Sequence, residues 1–220
     1  MATDPVTNSA RTEVLRRIRA AKGGIATAET ANAEWSAIDR TYRRQATRSR
    51  EAILELLIDR LQDYDARVLE SIHVNVRTAA AGMLKDRKAN RMVIPAGLPA
   101  EWLPDGVQFV VDEHLPAMEL DHVDGVMTAA TLAIAETGTV LLQNVPGQGR
   151  RAATLVPDYH LCIVRAEDVV ETVPEAFARL HPTARLATTF VSGPSATADI
   201  EMTRIKGVHG PRFLDVILVR

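Results

Sequence analysis

The pattern of apolar and polar positions along the chain changes near residue 65. Before that point apolar residues recur at intervals of three and four, which predicts amphipathic helices. Gly23-Gly24 interrupts the first helix, and Thr27 or Thr30 is placed to cap the next one. We therefore predict an N-terminal helical arm over residues 1–65. Its apolar positions are Val14, Leu15, Ile18, Ile53, Leu54, Leu57, Ile58 and Leu61.

The arm carries a cluster of basic residues but no catalytic motif. We expect these arginines on a solvated helix surface, with a phosphate clamp or a subunit contact as alternatives. The residues are Arg40, Arg43, Arg44, Arg48 and Arg50.

After residue 65, short apolar runs alternate with helical patterns. This order predicts a three-layer α/β domain over residues 66–220, with an open, mainly parallel sheet covered on both faces. The stretch from Ala133 to Val219 is expected to lie in one sheet, and ligands of such sheets bind beyond the carboxyl ends of strands. Strands are predicted at 68–74, 92–94, 107–111, 126–142 with a break at 136–139, 160–164, 188–191 and 216–219, and helices at 78–85 and 174–180.

Composition and charge narrow the function classes. The net charge is -2 and aromatic residues make up 4%, which argues against nucleic-acid binding because neither a basic field nor a stacking platform is available. The single cysteine, Cys162, excludes an intrachain disulfide and leaves too few thiolates for an iron–sulfur cluster in this chain. No apolar run approaches the length of a membrane span. We expect a cytoplasmic protein.

The turn Glu136-Thr137-Gly138-Thr139 places a carboxylate between two apolar segments. Burial would raise the pKa of Glu136, whereas donors from Thr137 and Thr139 would lower it. Two interpretations stay open. Glu136 is either a functional carboxylate or the closing residue of a hairpin, paired with a basic side chain.

The turn Ser192-Gly193-Pro194-Ser195 follows a predicted strand. Pro194 suits the first turn of a helix and Gly193 permits close backbone approach, so free amides there would face an anion. Thr197 adds a hydroxyl donor, and Asp199 either complements the helix start or orients a ligand hydroxyl. We expect this turn and the one at 136–139 to face a shared anion-binding cleft.

The segment from Gly147 to Ala152 matches the G-x-G-x-x-A form of the dinucleotide fingerprint. We reject that function because Pro157 follows too soon for a helix and no suitable acidic residue is present. The segment instead predicts a mobile loop in which Arg150 and Arg151 cover a bound phosphate or carboxylate.

Among the histidines, His160 and His209 lie in constrained settings, and the other four lack metal-ligand spacing. No metal site is predicted.

An ordered set of motifs carries a family resemblance. It comprises Ala-Ile-Ala-Glu-Thr-Gly-Thr at 133–139, Gly149-Arg150, Val156-Pro157 to His160, Ser192-Gly-Pro-Ser with Thr197-Ala-Asp-Ile-Glu201, and Gly207-Val-His-Gly-Pro211. Together these motifs resemble the LUD domain of the lactate utilization protein C family. Many relatives carry an acidic residue where this chain has Thr128-Ala-Ala-Thr131.

The resemblance implies the fold shared with CoA transferases, ribose-5-phosphate isomerases and methenyltetrahydrofolate synthetase. It also implies a bacterial role in oxidising L-lactate to pyruvate, with iron–sulfur clusters on partner proteins and no cofactor in this chain.

These expectations give three hypotheses. The first is a subunit that binds a small carboxylate or phosphate. The second is an independent enzyme resembling CoA transferases or sugar-phosphate isomerases, with Glu136 as nucleophile or base. The third is an assembly protein whose arm docks a partner. The candidate catalytic residue is Glu136, and the candidate ligand-binding residues are Thr137, Gly138, Thr139, Arg150, His160, Ser192, Gly193, Pro194, Ser195, Thr197, Asp199 and His209.

Overall fold

The computed structural model describes residues 5–23, 27–197, 205–206 and 209–220. The chain divides into two compact units between Tyr42 and Arg43. The first unit contains helices α1 (Pro5–Ala21) and α2 (Ala28–Ala37). Thr27 caps α2, because its side-chain oxygen accepts a hydrogen bond from the Thr30 amide at 3.1 Å.

Within its described residues, the second unit contains twelve strands and four α-helices. The strands are β1 (Arg67–Ser71), β2 (Arg91–Ile94), β3 (Gln108–Val111), β4 (Gly125–Ala129), β5 (Leu132–Ile134), β6 (Thr139–Gln143), β7 (Tyr159–Arg165), β8 (Val169–Val170), β9 (Thr188–Val191), β10 (Ala196–Thr197), β11 (Ile205–Lys206) and β12 (Phe213–Val219). The helices are α3 (Arg50–Asp63), α4 (Val76–Asp86), α5 (Ala117–Asp121) and α6 (Val173–Leu180).

Six strands form the main sheet, in the order β1-β12-β7-β4-β2-β3. Every neighbouring pair is parallel. The central strands β7 and β12 are buried along almost their whole length, as expected for a parallel sheet covered on both faces. The prediction of a mainly parallel α/β sheet is therefore confirmed.

A second sheet has the order β8-β5-β6-β9. The prediction that residues 133–219 lie in one sheet is wrong, because the turn after Ile134 reverses the chain. Strand β6 then pairs antiparallel with β5, with Thr139 opposite Ile134, and β9 pairs antiparallel with β6. Strand β8 joins the other edge in parallel with β5.

The layers are held together by four apolar clusters. Helix α4 packs on one face of the main sheet with Trp102. On the other face, α3 and the second sheet cover β7 and β12, while α5 and Ala152–Val156 cover β2 and β4. Helix α6 packs on the far side of the second sheet. Among the described helices, none is long and apolar enough to cross a membrane.

Helix α3 belongs to the core of this unit. It begins after Ser49, whose hydroxyl accepts from the Ala52 amide, and it buries Ile53, Leu54, Leu57 and Leu61. The sequence-based boundary at residue 65 assigned α3 to the arm. Because its apolar face completes the core beside β12, the compact unit begins at Arg43.

Candidate functional site

A cavity of about 150 Å³ brings together several residues that the sequence singled out. Its lining includes His160, the turn Ser192–Ser195 and His209, together with Arg151 and Thr154. It lies where β7 and β12 begin, since His160 and Leu214 are the second residues of those strands. The expected position, beyond the carboxyl ends of the parallel strands, is therefore not where these motifs meet.

The turn Ser192–Ser195 does not start a helix. The Ser195 amide donates to the Pro211 carbonyl at 2.8 Å, and the Ser195 hydroxyl accepts from the His209 amide at 3.0 Å. The chain then enters β10, which pairs antiparallel with β11. The predicted helix start at Pro194 is thus wrong, because the chain continues extended. Thr197 lies on β10, and Asp199 lies outside the described residues.

The two glycines of the motif turns allow close packing against the end of α3. Gly193 has φ +84°, and a Cβ there would lie 2.5 Å from the Tyr64 Cβ. Gly138 has φ +56°, and a Cβ there would lie 2.9 Å from backbone atoms of Arg60. A side chain at either position would meet strain and collision together.

Arg150 forms a bidentate ion pair with Asp112, whose side chain is 3% exposed. Arg150 Nε and Nη2 donate to the two carboxylate oxygens at 2.8 and 2.9 Å, and Nη2 also donates to the Leu115 carbonyl. The hydrogen bonds to Asp112 raise the pKa of Arg150. Arg150 is not among the residues that line the 150 Å³ cavity; it borders a neighbouring one of about 90 Å³.

Arg151 has a different environment from its neighbour. Its Nη1 donates to the Thr154 carbonyl at 3.1 Å and to the Thr154 hydroxyl at 3.3 Å. Within the described part of the chain, no carboxylate pairs with it. Burial lowers the pKa of Arg151 from its ordinary value, but a guanidinium remains charged at neutral pH. Arg151 is therefore a cation in the wall of both cavities, and its Nε and Nη2 have no acceptor among the described residues.

His160 is almost completely buried at 2% exposure. Its Nε2 lies 2.8 Å from the Thr128 hydroxyl, and that hydroxyl donates to Cys162 Sγ at 3.7 Å. Burial, followed by the charge of Arg151, lowers the pKa of His160 to about 4. Burial likewise raises the pKa of Cys162 to about 12. At neutral pH the site therefore holds a neutral imidazole and a neutral thiol.

The turn at 136–139 is joined to the second turn without lining the cavity. The Thr139 hydroxyl lies 2.7 Å from both the Thr137 and the Ser192 hydroxyls. Glu136 is one-third exposed and forms an ion pair with Arg43, and its amide donates to the Glu171 carbonyl. None of these residues of the turn is among the lining residues of the cavity.

Glu171 is a buried carboxylate that sequence reasoning did not find. It accepts hydrogen bonds from the guanidinium groups of Arg43 and Arg48, each at 2.5 Å, and from the amides of Thr47 and Arg48 at 2.6 and 3.0 Å. Burial alone would raise the pKa of Glu171, but these donors outweigh it and lower the pKa to about 2.

The expectation of a solvated helix surface is wrong for Arg43, Arg48 and Arg50. Arg43 and Arg48 lie in the irregular segment before α3 and bind Glu171. Arg50, at the start of α3, donates to the Val169 carbonyl at 2.6 Å. These arginines attach the segment to the second sheet.

A larger cavity, of about 450 Å³, lies where β4, β7 and β12 begin on the side of α4. Its charged lining residues all have partners among the described residues. The buried Asp215 accepts from Arg87 and from the Tyr159 hydroxyl, and Asp158 pairs with Arg212. We therefore favour the smaller cavity, where Arg151 has no counter-charge among the described residues. No group of three or more His, Cys, Asp or Glu side chains suited to a metal occurs in the described ranges.

Comparison with known proteins gives concordant results. The model of the LUD domain matches residues 110–219. Lactate utilization protein C from Deinococcus radiodurans is 40% identical over the full length of both chains, and the protein of that name from Halalkalibacterium halodurans is 38% identical over 41% of this chain and 42% of its own.

A solved structure supports the same assignment. The crystal structure of a DUF162 family protein from Deinococcus radiodurans superposes with a TM-score of 0.70 at 39% identity, covering 79% of this chain and all of that one. The sequence and structure comparisons thus agree, and the chain belongs to the lactate utilization protein C family of LUD domain proteins.

Proposed function

We propose that this protein is a component of bacterial L-lactate utilization, in which L-lactate is oxidised to pyruvate. The support is the full-length similarity to lactate utilization protein C. Oxidation needs an electron acceptor, and one buried cysteine cannot hold an iron–sulfur cluster. The proposal therefore assigns the clusters to partner proteins in the cytoplasm.

We further propose that the 150 Å³ cavity binds a small carboxylate or phosphate. The observation that carries this proposal is Arg151, a cation that lines the cavity without a described carboxylate partner. Drug-sized ligands occupy clefts of about 300 to 1,000 Å³, so this volume suits a ligand of few atoms. The Ser195 hydroxyl accepts from the His209 amide and has no acceptor among the described residues, so its proton is available to an anion.

Growth on L-lactate tests the role in the pathway. A deletion strain should fail to grow on L-lactate and recover with the wild-type gene. Arg151→Gln should not restore growth. Arg165→Gln is the matched control, since Arg165 is half exposed and ends the strand in which His160 is the second residue. Undiminished growth of the deletion strain would refute the proposal.

Titration calorimetry of the purified chain tests the ligand. L-lactate, pyruvate and inorganic phosphate are the probes. We expect at least one to bind, with affinity lost in Arg151→Gln and kept in Arg165→Gln. Absence of binding by all three to the folded wild type would refute the ligand proposal.

The alternative enzyme requires Glu136 as a nucleophile or base. The ion pair with Arg43 holds Glu136 outside the lining of the cavity. Complementation by Glu136→Gln tests this alternative directly. Growth equal to wild type would remove Glu136 from any mechanism, whereas loss of growth in a folded variant would favour it.

A further inference from the structure

The hydrogen bonds that join His160, Thr128 and Cys162 indicate which ring nitrogen of the buried His160 carries the proton. Thr128 has one hydroxyl proton, and its geometry directs that proton to Cys162 Sγ. When Thr128 donates to the sulfur, its oxygen accepts from His160 Nε2, which lies 2.8 Å away. A neutral imidazole has one N–H, so the proton lies on Nε2 and Nδ1 keeps a lone pair.

The charge of Arg151 favours the same tautomer. Arg151 and His160 line one cavity and interact electrostatically. A lone pair on Nδ1 is stabilised beside a guanidinium, whereas an N–H there would be repelled. Among the described residues, Thr128 is the hydrogen-bond partner of the ring. In this tautomer Nδ1 keeps its lone pair and has no donor among the described residues.

Resting on the proposed function, we propose that the cavity selects 2-hydroxycarboxylates over 2-oxocarboxylates, with Arg151 binding the carboxylate and His160 Nδ1 accepting a hydrogen bond from the 2-hydroxyl. Thr128 is a positioning residue, because it acts through the tautomer of His160. A 2-oxo group offers no proton to Nδ1 and leaves that buried acceptor unpaired, which disfavours its binding.

Calorimetry with L-lactate, pyruvate and propionate separates this inference from the proposed function. For the wild type we expect lactate to bind about tenfold more tightly than either other acid, the value of one net hydrogen bond. In Thr128→Val the ring can change tautomer, so the preference for lactate over pyruvate should fall to within about twofold. Failure of all three acids to bind would overturn both proposals. Equal binding of the three to the wild type, or an unchanged preference in Thr128→Val, would overturn the selectivity alone.

Nitrogen-15 NMR of the full chain gives a readout that needs no ligand. At neutral pH the His160 ring, assigned by its loss in His160→Gln, should carry its proton on Nε2. Cys162→Ala removes the sulfur acceptor, so Thr128 should then donate to Nε2 and move the ring proton to Nδ1. A wild-type ring protonated on Nδ1, or a tautomer unaffected by Cys162→Ala, would overturn the inference.

Discussion

The two motif turns lie side by side but differ in how far their charges are satisfied. At the first turn, Glu136 and Glu171 face Arg43 and Arg48, and every carboxylate has a basic partner. Near the second turn, the described residues offer Arg151 no counter-charge and give Nδ1 of the neutral His160 no hydrogen-bond partner. A cluster in which every charge is paired stabilises the fold. A cluster with an unpaired cation can also bind an anionic ligand.

Position explains why the first cluster is saturated. Arg43, Thr47 and Arg48 precede α3, so their bonds to Glu171 attach that helix to the turn between β8 and α6. A buried carboxylate without such donors would be strongly unfavourable. A residue's place in a family motif therefore does not by itself identify it as a binding residue. Hydrogen-bond donors that the protein's own carboxylates leave unpaired are the better indication.

The largest effect on stability is expected from Glu171→Gln. This change removes the negative charge that Arg43 and Arg48 share, and we expect a loss of about 3 kcal/mol of unfolding free energy, below the maximum for buried pairs because both arginines are partly exposed. Urea denaturation at pH 7 measures it. Glu70→Gln, which breaks the exposed pair with Arg220, is the control and should change stability by less than about 1 kcal/mol.

The same carboxylate predicts the pH dependence of stability. The pKa of Glu171 is about 2 in the folded protein and 4.5 ordinarily, so its contribution is complete above pH 4.5 and is lost as the pH falls toward 2. Glu171→Gln should flatten the stability profile between those values. An equally steep profile in the variant would assign acid sensitivity to other groups.

A smaller loss of unfolding free energy is expected from Gly138→Ala. Both the positive φ and the contact with Arg60 oppose a Cβ, and together they should lower stability by about 2 kcal/mol. Gly106→Ala separates the two causes, because Gly106 has φ +82° with nothing within 4 Å. Thermal unfolding should show a loss of about 1 kcal/mol for Gly106→Ala. Equal losses would mean that close packing against α3 contributes nothing.

Local patterns predicted much of the fold. The helix expected at 78–85 lies within α4, and the one expected at 174–180 lies within α6, where Thr172 and Glu175 form a capping box. The second sheet escaped prediction because its strands have the same apolar character as those of the main sheet. Only the antiparallel pairing of β6 with β5 and with β9 distinguishes them, and pairing is a long-range property.

For the candidate site, the sequence motifs predicted which residues line the cavity but not which charged side chains are paired. The turn 192–195, His160 and His209 do meet at one cavity. The sequence does not distinguish Arg150 from Arg151. Only the structure shows that Arg150 is paired with Asp112, which lies 38 residues earlier in the chain. Likewise, nothing local to Glu171 indicates that donors from residues 43–48 reach it.

The adjacent arginines provide the finest test of the contrast between satisfied and available charges. Arg150→Gln leaves the carboxylate of Asp112 nearly buried with only the Leu115 amide as a donor among the described residues, so stability should fall by about 2 kcal/mol. Arg151→Gln breaks no ion pair with a described residue, so stability should change by less than about 0.5 kcal/mol. Ligand affinity should respond in the opposite order, because only Arg151 lines the 150 Å³ cavity. Urea denaturation and calorimetry on both variants measure the two quantities. If Arg150→Gln weakened ligand binding more than Arg151→Gln in folded protein, the unpaired charge would not be the binding group.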